Sequence, residues 1–225
     1  MSDNPVRYEL SDNIATITID RPEAMNSLSR AVREGLWSAF RRFVDEDAAL
    51  VAILTATGDK AFCAGGDLKE MSEAALQVPP DDFLPYLNKN IRTNKPVIAA
   101  VNGLAYAGGF YLSQMCDLCI ASDNAKFAIS EPKVGRGAPW AAPLSWLIPP
   151  RVAMELLVTA NPLSAERAYQ VGLVNQVVPL ADLATAARDM ATSITKNAPL
   201  SVRAGKEMVY KSAELGWRAA LVMGD

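Results

Sequence analysis

A stretch from Val97 to Pro132 constrains the fold of this chain more than any other part of the sequence. It opens with the apolar, β-branched run Val97–Val101, which predicts a buried strand. Small residues around Gly108 then lead into the apolar run Phe110–Cys116, which predicts a buried helix whose first turn is nearly bare of side chains. Another apolar run, Leu118–Ala121, predicts a second strand. Strands that alternate with helices favour βαβ crossovers and a largely parallel sheet, and therefore an α/β fold.

Two glycine-rich turns follow predicted strands and offer backbone N–H groups. The apolar strand Val51–Thr55 precedes the sequence AGGD, which contains Gly66 and ends at Asp67, a residue able to cap a helix. The other turn contains Gly108. The first N–H groups of a helix lack intrahelical partners, and glycine allows a substrate oxygen to approach them closely. Two such turns can direct two N–H groups at one oxygen, an arrangement known as an oxyanion hole.

A carboxylate ends the same stretch. Glu131 follows the apolar segment Phe127–Ile129 and directly precedes Pro132. A carboxyl group at the edge of an apolar pocket has its pKa raised by desolvation, toward the range in which it exchanges protons near neutral pH. The donor-rich turns and this carboxylate together predict proton chemistry beside a carbonyl group.

Composition excludes several classes of site and partner. The 225 residues suffice for one well-buried domain, and a net charge of −3 gives no reason to expect nucleic acid. We expect no membrane association, because no apolar run reaches the roughly 18–20 residues that span a bilayer. The sequence contains no histidine, which excludes histidine bases and most zinc sites, and we predict no metal centre. Three cysteines in apolar segments indicate reduced thiols and a cytoplasmic protein: Cys63, Cys116 and Cys119.

The remaining sequence predicts further elements. Val6–Leu10 and Ile14–Asp20 form an expected antiparallel hairpin, and apolar residues four apart from Leu28 to Val44 predict an amphipathic helix. A helix is predicted from Phe83 to Ile91, after a loop at Gln77–Asp82. Nearer the C-terminus we expect a loop, two helices, a strand and two closing helices, at Gly135–Trp140, Arg151–Ala160, Ser164–Gly172, Leu173–Val178, Leu183–Thr195 and Leu200–Leu215.

Five segments occur in this order along the chain: FCAGGDLKEM, VIAAVNGLAYAGG, MCDLCIAS, AKFAISEPKVG and AYQVGLVNQVVP. Together they resemble the crotonase (enoyl-CoA hydratase/isomerase) superfamily, over the stretch from about Arg21 to Lys206. The resemblance implies an α/β fold with a crotonase-type superhelix of ββα turns over residues 1–180. It also implies a C-terminal helical region over residues 181–225 that is truncated relative to the family. An acyl-CoA thioester would be the substrate, with no cofactor beyond its coenzyme A, and the chain would form homotrimers or hexamers.

The resemblance also implies roles for individual residues. Gly66 and Gly108 match the positions whose N–H groups hold the thioester oxygen, and Glu131 matches one of the two catalytic glutamates of the hydratases. Backbone groups near the first glycine turn would hold the adenine and pantetheine parts of coenzyme A, at Ala24, Ala64, Gly66, Asp67 and Leu68.

Tyr111 departs from the hydratase pattern, because it occupies the position of the second catalytic glutamate. A tyrosine with an ordinary pKa near 10 donates hydrogen bonds but is a poor base at neutral pH. An enoyl-CoA hydratase that works with Glu131 is the first expectation. The alternatives are a Δ3,Δ2-enoyl-CoA isomerase, a hydroxycinnamoyl-CoA hydratase-lyase, whose Ser–Glu pair is similar to Ser130-Glu131, and a non-catalytic acyl-CoA-binding protein. Trp140 and Trp146 either shape the acyl pocket or belong to the core, and the acyl group itself stays open.

Overall fold

The computed structural model describes residues 4–73 and 80–224, in which strands alternate with helices. The predicted loop at Gln77–Asp82 lies partly outside these ranges. The strands are β1 (Val6–Ser11), β2 (Ile14–Ile19), β3 (Val51–Ala56), β4 (Ala61–Cys63), β5 (Val97–Val101), β6 (Leu104–Tyr106), β7 (Leu118–Ser122), β8 (Lys126–Ala128), β9 (Leu163–Ser164) and β10 (Gln176–Val178). The α-helices are α1 (Arg30–Asp45), α2 (Leu68–Glu73), α3 (Gly108–Gln114), α4 (Leu144–Leu147), α5 (Pro150–Thr159), α6 (Ala165–Gln170), α7 (Leu183–Thr195), α8 (Pro199–Ser212) and α9 (Trp217–Gly224).

The larger of the two sheets has the strand order β1-β2-β3-β5-β7-β10. β1 and β2 form the predicted antiparallel hairpin, and the other neighbouring strands of this sheet are parallel. β5 is buried along its whole length, because its alternate side chains pack against α7 on one face and against the core that includes α1 on the other. Burial on both faces explains why the strand has a continuous apolar sequence.

The smaller sheet has four strands in the order β4-β6-β8-β9. β4, β6 and β8 are parallel to one another, so their carboxyl ends lie at the same edge of the sheet. The chain leaves β4 into the turn that contains Gly66, leaves β6 into the turn that contains Gly108, and leaves β8 toward Glu131. The sheet therefore brings together three segments that are far apart in the sequence.

The predicted helix from Phe83 to Ile91 is wrong, because the described residues 80–96 contain turns in its place. Asn90 replaces part of the hydrogen bonding of a helix, since its side-chain oxygen accepts from the N–H of Tyr86 at 2.6 Å. Asn88 has a φ of 66°, in the left-handed region that interrupts a helix. Asparagine side chains compete with the backbone in this way, so the spacing of apolar residues alone does not predict these turns.

The C-terminal part of the chain is helical. The two predicted closing helices are confirmed as α7 and α8, and α9 adds a third that the sequence did not indicate. Asp117, which directly precedes β7, connects α8 to the larger sheet. Its carboxylate accepts hydrogen bonds from the Nζ of Lys206 and from the hydroxyl of Tyr210, each at 2.8 Å. In the two described ranges, no helix combines the length and apolar character that crossing a bilayer requires.

Candidate active site

The first segment of the candidate site is the turn between β4 and α2, which contains Gly66. Asp67 caps α2 as predicted, because its Oδ1 accepts from the N–H groups of Lys69 at 3.2 Å and Glu70 at 3.4 Å. Its Oδ2 lies 2.6 Å from Nη1 of Arg21, and the hydrogen bond from this guanidinium is the main cause that lowers the pKa of Asp67. Asp67 is thus a charged cap that holds the turn in place.

The candidate coenzyme A residues lie around this turn. Ala24 ends a short 3-10 helix, Pro22–Ala24, and the N–H of Ala64 donates to the carbonyl of the next residue, Met25, at 3.1 Å. Leu68 is the first residue of α2. The structure therefore brings Ala24 and Ala64 together, although they are distant in the sequence. Within residues 4–73 and 80–224, no cluster of three or more cysteine or acidic side chains is arranged to hold a metal ion.

The second segment is the turn from β6 into α3. Ala107 has φ 49° and ψ −116°, a conformation that residues with a side chain rarely adopt, and its N–H donates to the carbonyl of Ala128 at 2.9 Å. The two turns lie against each other, because a Cβ atom added to Gly65 would be 3.5 Å from the backbone nitrogen of Gly108. Among the described residues, the N–H groups of Gly66 and Gly108 donate to no other backbone group. Both are therefore available to a ligand oxygen.

Glu131 forms the third segment and lies at the start of a 3-10 helix beyond β8. Its Oε1 accepts a hydrogen bond from Nε1 of Trp140 at 2.8 Å. Its Oε2 is buried and has no hydrogen-bond partner within the described part of the chain. Burial raises the pKa of Glu131, and the nearby backbone N–H groups of Glu131 and Ser130, together with the hydrogen bond from Trp140, oppose this increase. A buried carboxyl oxygen without a partner marks a place where water or substrate can bind.

The indole of Trp140, which contacts this carboxylate, belongs to a cluster of aromatic rings. The ring of Tyr111 packs on that of Tyr86 with the centroids 4.7 Å apart, and it meets the edge of Trp140 at 5.9 Å. Phe110 also contacts Trp140, at a centroid distance of 5.8 Å. Burial raises the pKa of Tyr111, so even less of its phenol is ionised and able to take up a proton at neutral pH than in an exposed tyrosine. Trp146 is 74% exposed in the single chain, so the expectation that it belongs to the core is wrong, and its role in the acyl pocket stays a prediction.

Two contacts of the site were not predicted from the sequence: the hydrogen bond from Trp140 to Glu131 and the tilted ring contact between Tyr86 and Tyr111. The sequence predicts Trp140 only as part of the acyl pocket or of the core, and it predicts Tyr86 in a helix that does not form. The position of a ring within a loop depends on the tertiary contacts of that loop. The sequence alone therefore held no signal for either contact.

The profile of the Enoyl-CoA hydratase/isomerase family matches residues 9–222 of the chain. An (E)-benzylidenesuccinyl-CoA hydratase from Thauera aromatica is 41% identical over 208 residues, which cover 90% of this chain and 81% of that protein. A carnitinyl-CoA dehydratase from Proteus mirabilis (strain HI4320) is 37% identical over 209 residues, which cover 90% of this chain and 79% of that protein. The crystal structure of an enoyl-CoA hydratase from Mycobacterium tuberculosis H37Rv matches with a TM-score of 0.88 and 35% identity, covering 99% of this chain and 88% of that one.

Proposed function

This chain belongs to the enoyl-CoA hydratase/isomerase family and has the crotonase-type α/β fold expected from its sequence, and we propose that it hydrates an enoyl-CoA thioester with a single glutamate, Glu131. An acyl-CoA enzyme of the hydratase type agrees with the names of its relatives, which include a benzylidenesuccinyl-CoA hydratase and a carnitinyl-CoA dehydratase. Coenzyme A is then part of the substrate, and no further cofactor is needed.

The arrangement of the smaller sheet supports this proposal. Gly66, Gly108 and Glu131 follow the carboxyl ends of β4, β6 and β8, which are neighbours, and ligands of parallel sheets bind outside these ends. The N–H groups of the two glycines donate to no other backbone group in the described residues. We propose that they hold the thioester oxygen and stabilise the negative charge that develops there, as the two donors of an oxyanion hole.

The proposed reaction adds water in two steps. In the first step, Glu131 takes a proton from water while the water oxygen bonds to C3 of the substrate. The electron pair of the C2=C3 bond moves toward the thioester oxygen, which the N–H groups of Gly66 and Gly108 stabilise as an enolate. In the second step, the protonated Glu131 gives the proton to C2, and the enolate returns to the thioester. The carboxylate is regenerated, and the net change is the addition of one water.

The experiment that tests this proposal is a hydration assay with crotonyl-CoA and (E)-benzylidenesuccinyl-CoA. We expect 3-hydroxyacyl-CoA products from at least one of them. An isomerase is the second candidate, because Tyr111 cannot supply a second carboxylate and one glutamate suffices to move a proton between C2 and C4 of a 3-enoyl-CoA. A cinnamoyl thioester tests the hydratase-lyase alternative. Tight binding of acyl-CoA without turnover of any of these thioesters would identify a non-catalytic acyl-CoA-binding protein and refute the proposal.

Tyr111→Phe is expected to reduce kcat by no more than about tenfold. The phenol contributes at most one neutral hydrogen bond, whose usual net value is about 0.5–1.5 kcal/mol, and the ring contacts with Tyr86 and Trp140 are retained. Steady-state kinetics on the best thioester measure the effect, with Tyr169→Phe as a control on a tyrosine that is 55% exposed. A near-complete loss of hydration with unchanged acyl-CoA binding would instead assign the orientation of water to Tyr111.

We also propose that Ala24, Ala64, Gly66, Asp67 and Leu68 hold coenzyme A through backbone groups. Support comes from the contact between the segments of Ala24 and Ala64 beside the Gly66 turn. The carboxylate of Asp67 is already engaged by Arg21 and by the N–H groups of α2, so any contribution of Asp67 would come from its backbone.

We propose in addition a homotrimer or hexamer in the cytoplasm, in which residues 1–180 form the core and residues 181–225 the helical region. Apolar side chains on α8 and α9 support self-association, because Val209 is 69%, Trp217 80% and Val222 74% exposed in the single chain. Light scattering is expected to give three or six times the chain mass of 24.2 kDa. A mass of one chain at micromolar concentration would contradict the proposed assembly.

A further inference from the structure

We propose that Trp140 is a positioning residue: its indole N–H holds one oxygen of Glu131, so that the other oxygen, Oε2, alone exchanges protons with water and substrate. The inference rests on the proposed function, since it assigns the atom through which Glu131 would act. Nε1 of Trp140 lies 2.8 Å from Oε1, whereas Oε2 is buried without a partner in the described residues. The two oxygens of one carboxyl group thus have different surroundings.

This difference determines which oxygen of Glu131 can exchange protons. Oε1 is occupied by a strong donor, because hydrogen bonds from N–H groups to carboxylates are among the stronger ones in proteins. Oε2 is shielded from solvent and accepts no hydrogen bond from the described residues. Burial of this kind is unfavourable unless water or substrate donates a hydrogen bond to Oε2. The terminal torsion of a glutamate is otherwise broad and roughly two-fold, so a carboxyl group without such a donor would exchange its oxygens by rotation.

Trp140 is itself held by the helix that begins at the second glycine turn. Nε2 of Gln114, at the end of α3, donates to the carbonyl of Trp140 at 3.0 Å. The rings of Phe110 and Tyr111, in the first turns of the same helix, pack against the indole. Because α3 starts at Gly108, one helix carries an oxyanion donor at its first residue and fixes the indole that orients Glu131. Trp140 therefore connects α3 to the carboxyl group of Glu131.

The proton transfers follow from this geometry. Oε2 accepts the proton of water as the oxygen of that water bonds to C3, and Oε2 later returns the same proton to C2. Oε1 keeps its hydrogen bond to Trp140 throughout and takes no proton. Without the indole N–H, rotation of the carboxyl group would place the proton on the oxygen that faces away from the substrate. The loss should therefore affect kcat rather than substrate binding.

Trp140→Phe tests the proposal, with Trp37→Phe as the matched control, because the indole N–H of Trp37 also donates a hydrogen bond, at 2.9 Å to the carbonyl of Asp82. We expect kcat to fall roughly 10- to 100-fold in Trp140→Phe, with KM changed only a few-fold. We also expect the acid limb of the kcat/KM profile to move to higher pH, because the N–H stabilises the ionised carboxyl group. Trp37→Phe should change neither. An unchanged kcat and acid limb in Trp140→Phe, while Glu131→Gln is inactive, would overturn the inference. Full activity of Glu131→Gln would instead refute the proposed function.

A second measurement follows the Trp140 signal itself and therefore does not depend on the folding of Trp140→Phe. The sequence has four tryptophans, whose indole N–H signals can be assigned in NMR spectra by removing Trp37, Trp146 and Trp217 one at a time. We expect the remaining signal, that of Trp140, to shift with pH at the midpoint of the kinetic acid limb, and to lose this shift in Glu131→Gln. A Trp140 signal that stays constant through that limb would show that the indole does not sense the carboxylate.

Discussion

Glu131→Gln is expected to lower kcat by roughly 10²–10⁴-fold while the affinity for a non-reactive acyl-CoA stays within a few-fold. The amide has nearly the shape of the carboxyl group and can still accept the indole hydrogen bond of Trp140 through its oxygen. Its nitrogen would take the place of Oε2, which is the buried oxygen without a partner in the described residues. An amide cannot accept and return a proton at neutral pH, so binding is retained and turnover is lost.

Stability measurements test whether Glu131→Gln loses turnover simply because it unfolds. Burial raises the pKa of Glu131, so its contribution to stability is present below the unfolded pKa and is lost as the pH rises through the folded pKa. Glutamine carries no charge at any pH, and the variant should be at least as stable as the wild type at neutral pH in urea unfolding. Glu155→Gln, on an exposed part of α5, is the control for the same substitution elsewhere. Turnover that survives in Glu131→Gln would remove this residue from the mechanism.

Gly66→Pro is expected to lower kcat by roughly 10²–10³-fold, because proline has no N–H and one of the two oxyanion donors disappears. Gly66 is a better position for this test than Gly108. A proline ring restricts the preceding residue, and before Gly108 stands Ala107, which already has φ 49° and ψ −116°. Before Gly66 stands Gly65, which has no Cβ atom for the ring to meet. The proline therefore disturbs the first turn less than the second.

Gly66→Ala separates the loss of the donor from the space that a larger residue needs. A Cβ atom at Gly66 would approach the Sδ atom of Met71 to 2.3 Å, so both variants force this flexible side chain to move, but only proline loses the N–H. We expect the alanine variant to retain activity within about tenfold of the wild type. Circular dichroism and urea unfolding check that both variants fold. Equal activity of the two variants would show that the N–H of Gly66 does not stabilise the transition state.

The central elements of the fold are predictable from the sequence because they are buried on both sides. β5 coincides with its predicted range, Val97–Val101, since a strand covered on two faces is apolar throughout. α7 also coincides with its predicted range, Leu183–Thr195, although only one of its faces is buried. The structure of such segments can be predicted from their local composition. The structure of the segment from Phe83 to Ile91 cannot, because the side chain of Asn90 accepts a backbone hydrogen bond within its turns.

The candidate site was predictable only in part, for a similar reason. Gly66, Gly108 and Glu131 could be selected because the sequence shows glycine-rich turns after the apolar strands Val51–Thr55 and Val97–Val101 and a carboxylate after an apolar segment. The short strands β4 and β6, which bring the two turns together in the smaller sheet, were not predicted. The environment of Glu131 was not predictable, because the indole that contacts it comes from a loop nine positions away in the sequence. Burial of Tyr111, by contrast, agrees with the interpretation of its apolar helix, and it raises the pKa so that still less of the phenol is ionised at neutral pH.

The placement of the three segments on separate strands bears on how this protein can be re-engineered. The strands are held by backbone hydrogen bonds, which do not depend on the sequence of the connecting loops. The loop after β4 must be exchanged together with the segment of residues 21–28, because Arg21 donates to Asp67 and the N–H of Ala64 donates to the carbonyl of Met25. The loops after β6 and β8 are coupled, because Gln114 on α3 holds the backbone of Trp140, and Trp140 holds Glu131. A graft that introduces a new acid at the Tyr111 position must therefore bring a matching loop for residues 135–141, or the existing glutamate will lose its orientation.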